Sequence, residues 1–254
     1  MKKLMITAAA ALCATVGFSA GEIAYANIVG YMNGDINASG NNFITAPFFG
    51  IGYNTTDIQD IKLVGSSGYM TETFAIWEGV PSVVADTEFL WMGTEWNEDF
   101  SVATKGEWTT YGGETAEFSI PGGQAVTINA DPSISIQNAG QVPTENIEFT
   151  LVDGNNFTGN PYPSELNIQN IKLVGSSGYM TETFAIWEGV PSVVADTEFL
   201  WMGTEWNEDF SVATKGEWTT YGGETAEFTL DPYQGCVING AAGIKVEISA
   251  PYSL

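Results

Sequence analysis

The 254-residue chain contains no histidine and no arginine, and its seven basic residues are all lysines set against 31 acids. Without histidine there is no Ser-His-Asp or Cys-His catalysis, and the usual zinc and iron ligand sets are missing. Without arginine there is no bidentate clamp for carboxylate or phosphate. The chain also lacks a phosphate-cradling Gly-Lys-Ser/Thr loop and a dinucleotide fingerprint. Its formal charge of −24 argues against nucleic acid as a partner, because phosphate contacts need Lys or Arg to neutralise them. An anionic membrane surface would repel it as well. Such a charge destabilises a compact state by self-repulsion unless salt or divalent ions screen it, which suits a salty extracellular setting.

Long hydrophobic runs are equally scarce. The main one, Leu4 to Phe18, follows Lys2 and Lys3 and ends in Ser19-Ala20-Gly21, so residues 1–21 are expected to be a signal peptide. Ala24-Tyr25-Ala26 offers a second cleavage site. Glu22 closes the run before it reaches the roughly 20 apolar residues a membrane span needs. A lipoprotein reading fails because Cys13 lies inside the run, with Leu12 where a small residue should precede a lipidated cysteine. The expected product is secreted or held at the cell surface, with no membrane span. Loss of Lys2 and Lys3 takes the formal charge from −24 to −26 and leaves Cys236 with no second cysteine to pair with.

What is abundant is repetition. Residues Ile61 to Phe118 recur without a change as Ile171 to Phe228, an offset of 110. Looser matches flank them: Gly40-Asn41-Asn42-Phe43 answers Gly154-Asn155-Asn156-Phe157, and Pro121 to Asn129 lies opposite Asp231 to Asn239. Whole domains are duplicated, which differs from a solenoid of short units. The alignment sets Cys236 opposite Val126, an apolar strand position, and so predicts a buried, unreactive thiol. Identical neighbours also carry a domain-swapping hazard during folding.

Aromatic and β-branched residues are plentiful, Gly and Asn interrupt them every few residues, and no long stretch has helical apolar spacing. Strands are predicted at residues 27–32, 43–48, 61–64, 70–77, 87–92, 107–111, 115–120, 125–129 and 134–137. Gly65-Ser66-Ser67-Gly68 and Gly112-Gly113 supply tight connections. The fold class expected is all-β: two tandem, Ig-sized antiparallel β-sandwich domains at 27–138 and 146–254, joined by a linker at 139–145.

Gly159-Asn160-Pro161-Tyr162-Pro163-Ser164, followed later by Pro232-Tyr233-Gln234-Gly235, resembles a β-domain common in large bacterial secreted and cell-surface proteins. In that family a Gly-Asn-Pro-Tyr-Pro-Ser turn opens the domain and a Pro-Gly-Gln-Gly-Phe strand nears its end. A Gly-x-Trp-x-x-Tyr strand lies between, here Gly216 to Tyr221. The first copy departs from the opening motif with Ala46-Pro47-Phe48-Phe49, and the second has Cys236 where the family usually has an aromatic. Ala26 to Tyr31 is also similar to the mature start of small secreted bacterial proteins. The resemblance implies fold and location and brings no activity with it.

One segment suggests recognition chemistry. In Trp91 to Phe100, repeated as Trp201 to Phe210, Trp96 is flanked by Glu95, Asn97, Glu98 and Asp99. An aromatic beside amides and carboxylates can stack on a sugar face while polar groups take its hydroxyls. The candidate ligand-binding residues are therefore Trp96, Glu95 and Asp99, with Trp206, Glu205 and Asp209, for an extracellular glycan or a surface or matrix component. Trp77, Trp91 and Trp108 are read as core. The alternative is a glycoside hydrolase using two carboxylates from Glu78, Asp86, Glu88, Glu95, Glu98 and Asp99 or their repeats at Glu188, Asp196, Glu198, Glu205, Glu208 and Asp209. A non-catalytic role is the expectation. No cofactor is implied. Calcium has only Asp35-x-Asn37-x-Ser39-Gly40 and Asp153-Gly154-Asn155-Asn156 in its favour, and the twelfth position counted from Asp35 is Ala46, where an EF-hand has Glu. Turn chemistry accounts for both stretches.

Overall fold

The computed structural model describes residues 29–36, 40–76, 87–99, 101–186, 197–207, 209 and 211–252. The predicted signal peptide and Trp77 lie outside these. The described residues are all-β, with antiparallel sheets and two single-turn 3₁₀ segments at Ile58–Asp60 and Ile168–Asn170. The first copy contributes β1 (Val29–Asp35), β2 (Gly40–Thr45), β3 (Thr55–Asp57), β4 (Ile61–Val64), β5 (Tyr69–Ile76), β6 (Thr87–Trp96), β7 (Val102–Thr109), β8 (Ser119–Pro121), β9 (Ala125–Ala130) and β10 (Ser135–Gln141). The second contributes β11 (Ile147–Thr150), β12 (Gly154–Gly159), β13 (Leu166–Asn167), β14 (Ile171–Val174), β15 (Tyr179–Ile186), β16 (Thr197–Trp206), β17 (Val212–Thr219), β18 (Thr229–Leu230), β19 (Gly235–Gly240) and β20 (Lys245–Ile248).

In the first copy a five-stranded sheet ordered β2-β9-β5-β6-β7 faces a three-stranded sheet β1-β10-β4, and the second copy repeats this as β12-β19-β15-β16-β17 with β11-β20-β14. Each pair of sheets encloses apolar side chains, as in a β-sandwich. The first cluster holds Phe74, Phe89, Trp91, Trp108 and Ile128 from the large sheet with Ile61, Leu63 and Ile136 from the small one. The second holds Phe184, Phe199, Trp201, Trp218 and Ile238 with Ile171, Leu173 and Val246. Interior strand β9 is buried at five of its six positions, whereas edge strand β1 alternates between exposed and half-buried residues. That contrast reflects strands covered on both faces or on one. The identical segments take matching geometry. Gln59 donates to the carbonyls of Trp108 at 2.8 Å and Ala116 at 2.9 Å, and Gln169 does the same with Trp218 and Ala226.

Three differences from the sequence reading have local causes. The strand expected over 115–120 shrinks to β8, because Thr110 donates forward to the Glu114 carbonyl and Ala116 back to the Trp108 carbonyl around a tight turn. Residues 55–57 pair with β8 as β3, a partner too short to register as a hydrophobic run. β10 continues to Gln141 because Gly140 and Ala139 pair with Gly30 and Tyr31, so three residues of the 139–145 stretch lie in a strand.

The two copies also touch. Ile44 of β2 bridges Gln234, and Thr158 of β12 bridges Gln124. The rings of Phe43 and Phe157 stack at 5.4 Å and 2°. Tyr233 of the second copy is buried in the first copy's core cluster, while Phe49 of the first copy belongs to the second copy's cluster.

Candidate functional site

Strands β6 and β7 form a hairpin in register Thr94↔Thr104, Glu95↔Ala103 and Trp96↔Val102, and β16 and β17 repeat it. β7 and β17 are the outer edges of their sheets, opposite the β2 and β12 edges where the copies meet. The two hairpin ends therefore sit on the edges remote from the inter-copy contact.

Each end is closed by side chains. Asn97 donates its backbone N–H to the Ser101 carbonyl and its amide to Ser101 Oγ, both at 2.9 Å. Ser101 in turn donates its N–H at 3.0 Å and its hydroxyl at 2.5 Å to Asp99 Oδ1. Asn207, Ser211 and Asp209 repeat these four bonds at the same lengths. The Ser101 hydroxyl and then its amide hold the Asp99 carboxyl below its ordinary range, and Ser211 does likewise for Asp209. Asp99 and Asp209 thus organise the turn, the usual role of an Asx side chain. Lys105 lies 3.7 Å from Glu95 and 3.0 Å from Glu107, and Lys215 lies 3.5 Å from Glu205 and 3.0 Å from Glu217. The hydrogen bond to Glu107, followed by the charges of Glu107 and then Glu95, pushes the Lys105 ammonium pKa up.

Among the sequence-predicted residues, Glu95, Asp99, Glu205 and Asp209 are exposed on these hairpin ends. Trp96 and Trp206 end strands β6 and β16 directly beside them, and their side chains are outside the described set. Sequence reasoning missed Lys105 and Lys215, which tie the glutamates to the hairpin, and also Tyr111 and Tyr221. Tyr111 is exposed and donates to Glu88 at 2.6 Å, and Tyr221 donates to Glu198. Their signal was the Gly-Glu-Trp-Thr-Thr-Tyr strand, whose last residue falls just past the strand end.

Glu78, Asp86, Glu188, Asp196 and Glu208 of the carboxylate-pair alternative are outside the described residues. Of the proposed calcium stretches, Asn37 and Ser39 are outside as well, and Asp35 closes β1. Asn156 in the other stretch accepts from Val152 N–H and donates to the carbonyls of Val152 and Gly154, which is turn closure. Among the described residues, no three His, Cys, Asp or Glu side chains gather as a metal site, and no helix is long and apolar enough to cross a membrane. Cys236 is fully buried and its thiol pKa is pushed far up by loss of solvent.

No family model matches the chain, and neither a curated protein nor a solved structure matches it.

Proposed function

We propose that this is a secreted or cell-surface, non-catalytic β-protein with a structural or adhesive role, whose two hairpin ends engage an extracellular glycan weakly and together. The observation behind this reading is the duplicated end itself. Two copies of one turn, closed by the same four hydrogen bonds, set Glu95 beside Trp96 and Glu205 beside Trp206 at the ends of the outermost hairpins of the sheets. Two equal weak sites on one chain gain avidity because the second encounter is intramolecular. The net charge of −24 favours a neutral or cationic partner, or one bridged by divalent ions, over a simple polyanion.

A glycan array with and without calcium, comparing the unmodified chain with Trp96→Ala, Trp206→Ala and the double variant, tests the reading. Binding that falls steeply only in the double variant supports it. Binding unchanged in the double variant removes the site from the hairpin ends, and no binding to any glycan leaves a purely structural protein.

A further inference from the structure

The contact between the copies is built from equivalent positions that carry unequal side chains. Gly123 and Tyr233 correspond at the repeat offset, and both have positive φ, 82° and 68°. Gly34 and Phe149 also correspond, because Gly34 pairs with Ile136 beside Leu63 and Phe149 pairs with Val246 beside Leu173. Thr45 and Gly159 correspond through their pairing with Ala125 and Gly235. The cross-copy bridges Ile44↔Gln234 and Gln124↔Thr158 are likewise equivalents of each other. The interface is therefore a pseudo-two-fold one, in which each contact occurs twice with the partners exchanged.

At one occurrence Tyr233 lies over Gly34, where a Cβ would come within 2.6 Å of the ring, and the Tyr233 hydroxyl donates to the Met32 carbonyl at 2.8 Å. At the other occurrence the sizes are reversed: Phe149 stands at the Gly34 position and Gly123 faces it, a Cβ there lying 3.8 Å from the ring and 3.2 Å from Ile147 beside it. Near the axis a Cβ on Gly159 would fall on the Thr45 hydroxyl. A left-handed tyrosine is strained relative to its ordinary backbone, and burial of its ring in the opposite copy is what opposes that strain.

We infer that the two copies recognise each other as an unlike pair, so that the surface around Gly34 and Thr45 is a docking site for the second copy and rejects its own kind. Two second copies would drive Tyr233 into the place of Phe149. Two first copies would set Thr45 against Thr45 and leave Gly123 facing Gly34 across a void. Overpacking and voids each disfavour the wrong pairing. This sorts the identical segments that otherwise invite mispairing.

A protease site inserted between Thr144 and Glu145 of the full chain, cut after folding, makes the pairing measurable. The cut chain is unfolded in urea, refolded and examined by native mass spectrometry, where the two fragments differ in mass. Only the mixed pair should form, and Gly34→Phe should weaken it by roughly tenfold or more. The double variant Gly34→Phe with Tyr233→Gly, which transplants the Phe149/Gly123 arrangement, should restore it. Refolded like pairs in comparable amount, fragments that separate freely at micromolar concentration, or a double variant no better than Gly34→Phe would each overturn the inference.

Discussion

Trp108 donates its indole N–H to the carbonyl of Ile61 at 2.7 Å, a bond that runs from β7 in the large sheet to β4 in the small one. Trp218 repeats it with Ile171 at 2.8 Å. The neighbouring Trp91 and Trp201 rings sit edge-on to these at 5.2 Å, and their indole N–H groups are buried without an acceptor. Within each copy one tryptophan ties the sheets together and the other packs between them.

Trp108→Phe should therefore destabilise the chain by about 2–4 kcal/mol, combining a lost buried hydrogen bond with a cavity. Trp218→Phe should cost the same within about 0.5 kcal/mol, because the surrounding segment is identical. Urea unfolding followed by intrinsic fluorescence measures both. A large inequality between the copies would show that the inter-copy contact, and not the local sandwich, sets the stability at these sites.

Alkaline pH should expose the buried phenols. Tyr162 donates to the carbonyls of Ile248 at 2.9 Å and Glu145 at 3.0 Å, and burial pushes its pKa from 10.0 up to about 12. Burial raises Tyr233 and Tyr252 too. Above pH 10 the unfolded chain releases these protons while the folded chain keeps them, so folding stability falls as pH rises. The loss is roughly 1.4 kcal/mol per pH unit for each tyrosine held protonated. Unfolding free energies measured between pH 8 and 12 should drop from about pH 10 onward. Tyr162→Phe should be less stable at pH 8 but lose stability less steeply above pH 10.

Cys236 should be inert while the protein is folded. It occupies the position of Val126 in the other copy and is sealed from solvent. Alkylation with iodoacetamide at pH 8, read by peptide mapping at Cys236, should require unfolding. Cys236→Val should cost no more than about 1–3 kcal/mol, because it adds one methyl-sized group to a packed site yet installs the residue the first copy already uses. Rapid labelling of the native chain would mean that β19 opens locally.

The strands, their duplication and the fate of Cys236 were legible because they depend on local pattern: alternation of apolar residues, and a 58-residue identity that must fold alike. Candidate residues Glu95 and Asp99 fall on a hairpin end that the expected strands, 87–92 and 107–111, did not include, and their employment was not foreseen either. Nothing at the Asp99 position tells a reader that its carboxylate closes its own turn through Ser101. The exchange of Tyr233 and Phe49 between copies was out of reach for a different reason. The alignment displays a tyrosine opposite a glycine, yet which core the ring enters depends on how the sandwiches meet, a long-range property with no local period. The first copy's departures from the opening motif are explained the same way. Where Asn160 accepts from Tyr162 N–H and donates to Leu230, the first copy has Ala46, and Asn138 takes over by accepting from Phe48 N–H at 3.1 Å and donating to Asp60 at 3.2 Å.

The hairpin end should respond to loss of its acid in the same way in both copies. Asp99→Ala removes the acceptor for two Ser101 donors, so amide exchange at Ser101 should accelerate while exchange at Trp108, deep in the sandwich, stays unchanged. The Asp99 carboxyl is held below the usual 3.8, so the contribution of this turn is present at neutral pH and is lost as pH falls through that lowered value. If exchange at Ser101 were equally slow in Asp99→Ala, the closed turn would owe nothing to the carboxylate.

Salt should stabilise the fold without any specific cation. Of the five lysines in the described residues, Lys105, Lys215 and Lys245 pair with glutamates, while Lys62 and Lys172 donate to the carbonyls of Gly106 and Gly216. Most acids among the described residues therefore have no lysine paired with them, and their mutual repulsion acts over the Debye length, about 30 Å at 0.01 M and 8 Å at 0.15 M ionic strength. Raising sodium chloride across that range should lift the melting temperature by several degrees and then level off, as screening of dispersed charge does. Calcium at matched ionic strength separates screening from coordination. A modest extra gain shared by magnesium fits condensation on an acidic surface. A large, saturable gain with calcium alone, at concentrations far below those that screen, would establish a coordinating site and reopen the assignment of the Asp35 and Asp153 stretches to turn chemistry.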